Sequence, residues 1–110
     1  MPDIPEITPT ELKERLDNGE KLTIIDVREP HEWDNGNLEP YGARLIPLGE
    51  LPTRVDEIPA DEEVVLMCRS GSRSGRALEL LRGHGHDRLL NLKGGILGWS
   101  DQVDPSIPKY

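Results

Sequence analysis

One stretch limits what this 110-residue chain can fold into more than any other: Val64-Val65-Leu66-Met67, then Cys68-Arg69-Ser70-Gly71-Ser72-Arg73, then a helix-forming run over residues 74–82. Four consecutive apolar residues bounded by turn formers read as a strand covered on both faces. Ala77, Leu78 and Leu81 give the run that follows an apolar stripe. The same alternation recurs along the chain. Thr8 can cap a helix that Pro9 opens and Glu11 braces, with Leu12 and Leu16 on one face and Asn18-Gly19 as its stop. Leu22-Thr23-Ile24-Ile25-Asp26-Val27 reads as a first core strand, and residues 30–34 as a short helical turn broken at Asn35-Gly36. A second strand is expected over residues 43–47, an amphipathic helix over 48–58, a last strand over 89–92 and a short helix opening at Ile96 after Gly94-Gly95. Strands alternating with helices predict an α/β fold: a small parallel β-sheet flanked by helices on both faces.

The length suits one domain spanning residues 1–110. Thirteen Lys and Arg against twenty-one Asp and Glu leave a net charge of −8, which repels nucleic acid and anionic lipid. No run is apolar enough to span a membrane, and Met1-Pro2-Asp3-Ile4-Pro5-Glu6 lacks the basic and apolar segments of a secretory signal. The single cysteine, Cys68, cannot form an intramolecular disulfide, and its free thiol suits a reducing cytoplasm.

Ligands of open α/β sheets bind beyond the carboxyl ends of the strands, which is where Cys68 falls. Ser70, Gly71 and Ser72 are small enough for successive backbone N–H groups to curl inward as an anion-binding nest, with a helix amino terminus behind it. Arg69 and Arg73 flank the curl. Hydrogen bonds to the charged form, the helix terminus and nearby positive charge all lower a cysteine pKa, so Cys68 is expected to be an ionised nucleophile. A buried, inert cysteine is the plain alternative. Tyrosine-phosphatase-type loops carry their arginine six positions after the cysteine, where this chain has Ser74. With the arginine one residue earlier, at Arg73, the ring of donors is tighter and favours the outer sulfur of a persulfide over a phosphate. Three functions therefore stand: a sulfur-transfer enzyme, a small cysteine phosphatase or arsenate reductase, and a non-catalytic module that binds an anionic partner.

Taken together these segments resemble a single-domain rhodanese, a thiosulfate-using sulfurtransferase. Asp26-Val27-Arg28-Glu29 is similar to that family's Asp-Val-Arg signature, residues 42–48 to its second-strand motif, Cys68 through Arg73 to its six-residue active loop, and Asn91-Leu92-Lys93-Gly94-Gly95 with Trp99 to its closing segment. The resemblance implies a Cys68 persulfide that accepts sulfane sulfur from a small anionic donor, thiosulfate or a persulfide, and passes it to a thiol, cyanide or protein acceptor. It implies that Arg69, Ser70, Gly71, Ser72 and Arg73 bind the donor, that Asp26 and Arg28 support the pocket, and that no cofactor is needed.

Trp33 and Trp99 are expected to anchor packing and Lys93 to lie at the surface. His84-Gly85-His86 reads as a solvated helix end, and no metal site is expected. Two departures stand out. Residues 39–41 lengthen a loop near the expected pocket mouth. The end, Val103-Asp104-Pro105-Ser106-Ile107-Pro108-Lys109-Tyr110, resembles the tails of rhodanese domains fused to adenylyltransferases that load sulfur-carrier proteins, which puts such a carrier among the acceptors. Ile107 and Tyr110 are equally well read as a strap packed on the domain.

Overall fold

Five short strands, all parallel, form one sheet whose centre is the most apolar segment of the chain. The computed structural model describes residues 4–110, so the reading of Met1, Pro2 and Asp3 lies outside the described residues. In chain order the elements are β1 (Glu6–Ile7), α1 (Pro9–Asp17), β2 (Thr23–Asp26), α2 (Pro30–Trp33), β3 (Arg44–Leu45), α3 (Leu51–Arg54), β4 (Val64–Met67), α4 (Ser72–Gly83), β5 (Leu89–Leu92) and α5 (Gly95–Gln102). The sheet order is β1-β5-β4-β2-β3. Register pairs Asp26 with Met67 and Leu66 with Asn91, so β2 and β4 end side by side. The chain moves outward in one direction from β2 and in the other from β4, which makes the gap between their carboxyl ends the topological switch point. Cys68 is the first residue past β4.

Side-chain alternation divides the core into two layers. Ile25, Val27, Val64 and Leu66 meet Leu51, Ala77, Leu78 and Leu81 on one face. Ile24, Val65, Met67 and Leu92 meet Leu12, Leu38, Ile96 and Trp99 on the other. Helices α3 and α4 thus cover one side and α1 and α5 the opposite side, as the α/β reading expects. The Thr8 capping box forms as the sequence predicts: Thr8 Oγ1 accepts from the Glu11 amide at 3.1 Å, and Glu11 Oε1 accepts from the Thr8 amide at 2.9 Å.

The structure departs from the sequence reading where segments are short. Strand β1 has two residues, too few to show a period, and exists because Glu6 and Ile7 pair with Asn91 and Leu92. The second strand is confined to Arg44–Leu45, with the amide-less Pro47 beyond it. The helix expected over 48–58 divides into a 3-10 turn at Leu48–Glu50, the single turn α3, and a 3-10 turn at Val55–Glu57. Pro52 has no N–H to bond back to Leu48, which explains the break, and Leu51 and Ile58 are buried all the same. Helix α4 begins at Ser72 rather than Ser74, so Ser72 and Arg73 belong to its first turn. His86 is buried, with Nε2 3.1 Å from the Ile58 carbonyl, and only His84 has the solvated character expected of the pair.

Gly95 locks α5 to the loop after β4. Its φ is +57°, and a Cβ there would lie 2.4 Å from the Cys68 carbonyl oxygen and 2.5 Å from that of Arg69. Both obstacles are backbone. Gly95→Ala is therefore expected to lower stability by at least about 2 kcal/mol in urea unfolding. Gly83→Ala, where a Cβ meets nothing within 4 Å, is the matched control and should leave the midpoint within about 0.5 kcal/mol of the parent.

Candidate active site

The loop from Cys68 to Gly71 is held by its carbonyls. The first amides of α5 donate outward to it, Ile96 N to the Cys68 oxygen at 2.9 Å and Leu97 N to the Arg69 oxygen at 3.2 Å. The Gly71 oxygen is engaged by Gly75 N at 3.1 Å and Asn91 Nδ2 at 3.0 Å. In a planar trans peptide the N–H points opposite to the C=O, so pulling these carbonyls toward α5 and β5 turns the intervening amides toward the sulfur. Gly71, at φ +116°, supplies the left-handed step the curl requires and becomes the N-cap of α4.

Cys68 Sγ accepts from the Gly71 amide at 3.1 Å and lies 3.3 Å from Ser74 Oγ. Cys68 is only 1% exposed, and this burial pushes its thiol up. The Ser74 hydroxyl and the Ser74, Gly71 and Ser70 amides outweigh it and hold the thiol below its ordinary value. The sequence reading expects hydrogen bonds, the helix terminus and the nearby charges of Arg69 and Arg73 to act together, and hydrogen bonds lead among the lowering causes.

Both arginines have other partners. Arg73 forms a two-pronged pair with Glu32, Nη1 to Oε1 at 2.7 Å and Nη2 to Oε2 at 2.8 Å. That pair pulls the Glu32 carboxyl down to about 2, against the effect of its burial. Arg69 is exposed and donates to the main-chain oxygen of Tyr110. Ser70 and Ser72 are exposed at the rim of the loop. Asp26 and Arg28 are wholly buried beside the loop, paired through Arg28 Nη2 and Asp26 Oδ2 at 2.7 Å. Arg28 also donates to the carbonyls of Glu32 and Gly36, and so pins the segment after β2.

Three site groups escaped the sequence reading. In the sequence Ser74 opens the helix-forming run and marks the place where a phosphatase-type arginine is missing, but in the structure its hydroxyl bridges Cys68 Sγ and Asn91 Oδ1, the latter at 2.5 Å. That hydroxyl has one proton to place between them, and negative charge on sulfur draws it there. Asn91 is held in orientation by its bond to the Gly71 oxygen. In the sequence Glu32 reads only as part of a short helical turn; in the structure its Oε1 accepts from the Glu29 amide at 3.0 Å and the same carboxylate anchors Arg73. Trp99 is fully buried as expected, with Tyr41 of the lengthened loop edge-on at 5.5 Å, whereas Trp33 is only partly buried against the same layer. Among the described residues, no group of three or more His, Cys, Asp or Glu is arranged to hold a metal, and no helix is long and apolar enough to cross a membrane.

The rhodanese-like domain pattern matches residues 8–102. This chain belongs to the rhodanese-like family. The rhodanese-like chain is 39% identical over 102 residues to a sulfurtransferase of Allochromatium vinosum, covering 93% of this chain and 94% of that protein. It is 40% identical over 106 residues to the probable adenylyltransferase/sulfurtransferase MoeZ of Mycobacterium tuberculosis, covering 94% of this chain but 26% of that protein, about a quarter of its length. A crystal structure of a rhodanese-like domain protein from Staphylococcus aureus superimposes with a TM-score of 0.82 at 31% identity, over 91% of this chain and 95% of that one. Sulfurtransferases are thus among this rhodanese-like chain's relatives, and the parallel sheet with helices on both faces is the family's fold.

The hydrogen-bond pattern sets a measurable order of effects on the thiol. Ser74→Ala removes the strongest contribution to thiolate stability, so the absorbance titration of Cys68 should move to higher pH. Arg69→Gln should move it less. An unchanged midpoint in Ser74→Ala would contradict the assignment.

Proposed function

We propose that this chain transfers sulfane sulfur through a Cys68 persulfide, with thiosulfate or a persulfide as donor. The observation that carries the reading is the set of donors on Cys68 Sγ, the Gly71 amide at 3.1 Å and the Ser74 hydroxyl at 3.3 Å. They favour an ionised sulfur in a buried place and need no general base.

In the first step a lone pair of the Cys68 thiolate attacks the outer sulfur of thiosulfate. The donor's S–S bond breaks, sulfite leaves with that bonding pair, and the new Cys68 persulfide carries the negative charge. In the second step a thiolate, cyanide or protein nucleophile attacks the outer persulfide sulfur. The bond to Cys68 breaks and the thiolate is restored. Electrons balance without an external oxidant, and the reaction needs no metal or cofactor.

The loop amides of residues 70, 71 and 74 serve both the thiolate and the longer persulfide. Arg69 and Arg73 receive the sulfonate end of the donor, Ser70 and Ser72 add hydroxyls at the rim, and Asp26 and Arg28 brace the wall. Likeness to an adenylyltransferase/sulfurtransferase supports a sulfur-carrier protein or small thiol as acceptor. A reactive thiol of this kind works in reducing surroundings such as the cytoplasm. The phosphatase reading is weaker, because the position that would bear its arginine holds Ser74, buried against the sulfur.

Incubation with thiosulfate is expected to raise the mass of the intact protein by one sulfur atom. Cyanide should remove the added atom with release of thiocyanate, and Cys68→Ser should show no gain. A protein that stays unloaded while hydrolysing a phosphoester would sink the proposal.

A further inference from the structure

The sulfur of Cys68 shares a single hydroxyl proton with a side chain from outside its loop. Ser74 Oγ lies within hydrogen-bonding reach of three acceptors: Asn91 Oδ1 at 2.5 Å, the Gly71 carbonyl at 3.2 Å and Cys68 Sγ at 3.3 Å. The Gly71 oxygen already accepts from Gly75 N and from Asn91 Nδ2, which fills both of its lone pairs. The contest for the proton is therefore between the Asn91 oxygen and the sulfur. Asn91 cannot turn away from it, because exchanging its oxygen and nitrogen would set Oδ1 against the Gly71 oxygen, acceptor facing acceptor. Ser74 is wholly buried, Asn91 is 4% exposed and Cys68 1%, so bulk water is shut out of the contest.

We infer that Asn91 is a positioning residue of the reaction: its side-chain oxygen holds the Ser74 hydroxyl while the Cys68 sulfur is neutral and gives it up when that sulfur carries charge. The proton stays on Ser74 Oγ throughout, and only its direction changes. Beside a neutral thiol the 2.5 Å contact wins, because an amide oxygen is a stronger acceptor than a thiol sulfur. Beside a thiolate the hydroxyl turns to sulfur, because a charge-assisted hydrogen bond is about twice as strong as a neutral one. Asn91 Oδ1 is then left buried without that donor, a cost that opposes the thiolate. Its Nδ2 bond braces the loop, and loss of the brace alone would work the other way. For the loaded protein the inference rests on the sulfur-transfer reading. A persulfide carries its charge on the outer sulfur, so the hydroxyl returns to Asn91 on loading. It swings back to Cys68 as the outer sulfur is taken, where it stabilises the departing thiolate.

The test is a double-mutant cycle on the full chain, read by thiolate absorbance. Asn91→Leu keeps the size of the side chain and removes its acceptor, which frees the hydroxyl for sulfur in both states. Its titration midpoint should fall by about half to one pH unit, the worth of one hydrogen bond. A better stabilised thiolate is a weaker nucleophile, so alkylation by iodoacetamide above the midpoint should slow by about twofold. In Ser74→Ala, which has no hydroxyl to contest, adding Asn91→Leu should lower the midpoint no further. Arg73, whose charge is felt at Cys68, stays paired with Glu32 throughout the cycle. A midpoint that rises or stays fixed in Asn91→Leu, or that falls equally with and without the Ser74 hydroxyl, would overturn the inference. Should Asn91→Leu fail to fold by circular dichroism, the side-chain carbonyl carbon of Asn91 decides. Its resonance must move with the Cys68 titration in the parent and by less than about half as much in Ser74→Ala. The midpoint is read without sulfur transfer. The expected cycle in a protein that thiosulfate cannot load would refute the sulfur-transfer reading and leave the hold of Asn91 on the hydroxyl standing.

Discussion

The site depends on a few hydrogen bonds that do not touch the sulfur. Ile96 and Leu97, in the first turn of α5, donate to the Cys68 and Arg69 carbonyls. These bonds satisfy orphan amides of a helix amino terminus and, at the same time, fix the direction of the peptide planes that follow Cys68. Without them the curl would be free to turn carbonyls toward the sulfur and raise the cost of charge there. Gly95 permits the contact because a side chain at that position has no room. The last helix is thus packed where it is for the loop as much as for the core.

A second constraint is the chain's own acidity. With a net charge of −8, attraction of an anion must be local. The positive groups near the cup are correspondingly restrained: Arg28 is buried against Asp26, Arg73 is gripped by Glu32, and Arg69 rests under Tyr110. Ionisation of Cys68 then rests on short-range hydrogen bonds, which salt screens far less than long-range attraction between exposed charges.

The sequence made the sheet and the cup legible because their signals are local. Val64 through Met67 show an unbroken apolar strand, the Thr8 cap shows a helix start, and the small residues after Cys68 show a curl. The partners supplied from a distance were hidden. Asn91 reaches Ser74 from a neighbouring strand, Glu32 reaches Arg73 across forty-one positions, and Tyr110 reaches Arg28 across eighty-two. The missed edge strand Glu6–Ile7 and the divided segment around Pro52 fail for another reason: two to four residues are too few for a period to emerge.

The central claim is that main-chain amides of the loop stabilise negative charge on Cys68. Amide proton and nitrogen resonances of Ser70, Gly71 and Ser74, followed through a pH titration, test it most directly. The account predicts that all three move together with one midpoint below the ordinary thiol range and lose that transition in Cys68→Ser. Resonances that stay fixed, or that titrate above that range, would contradict it.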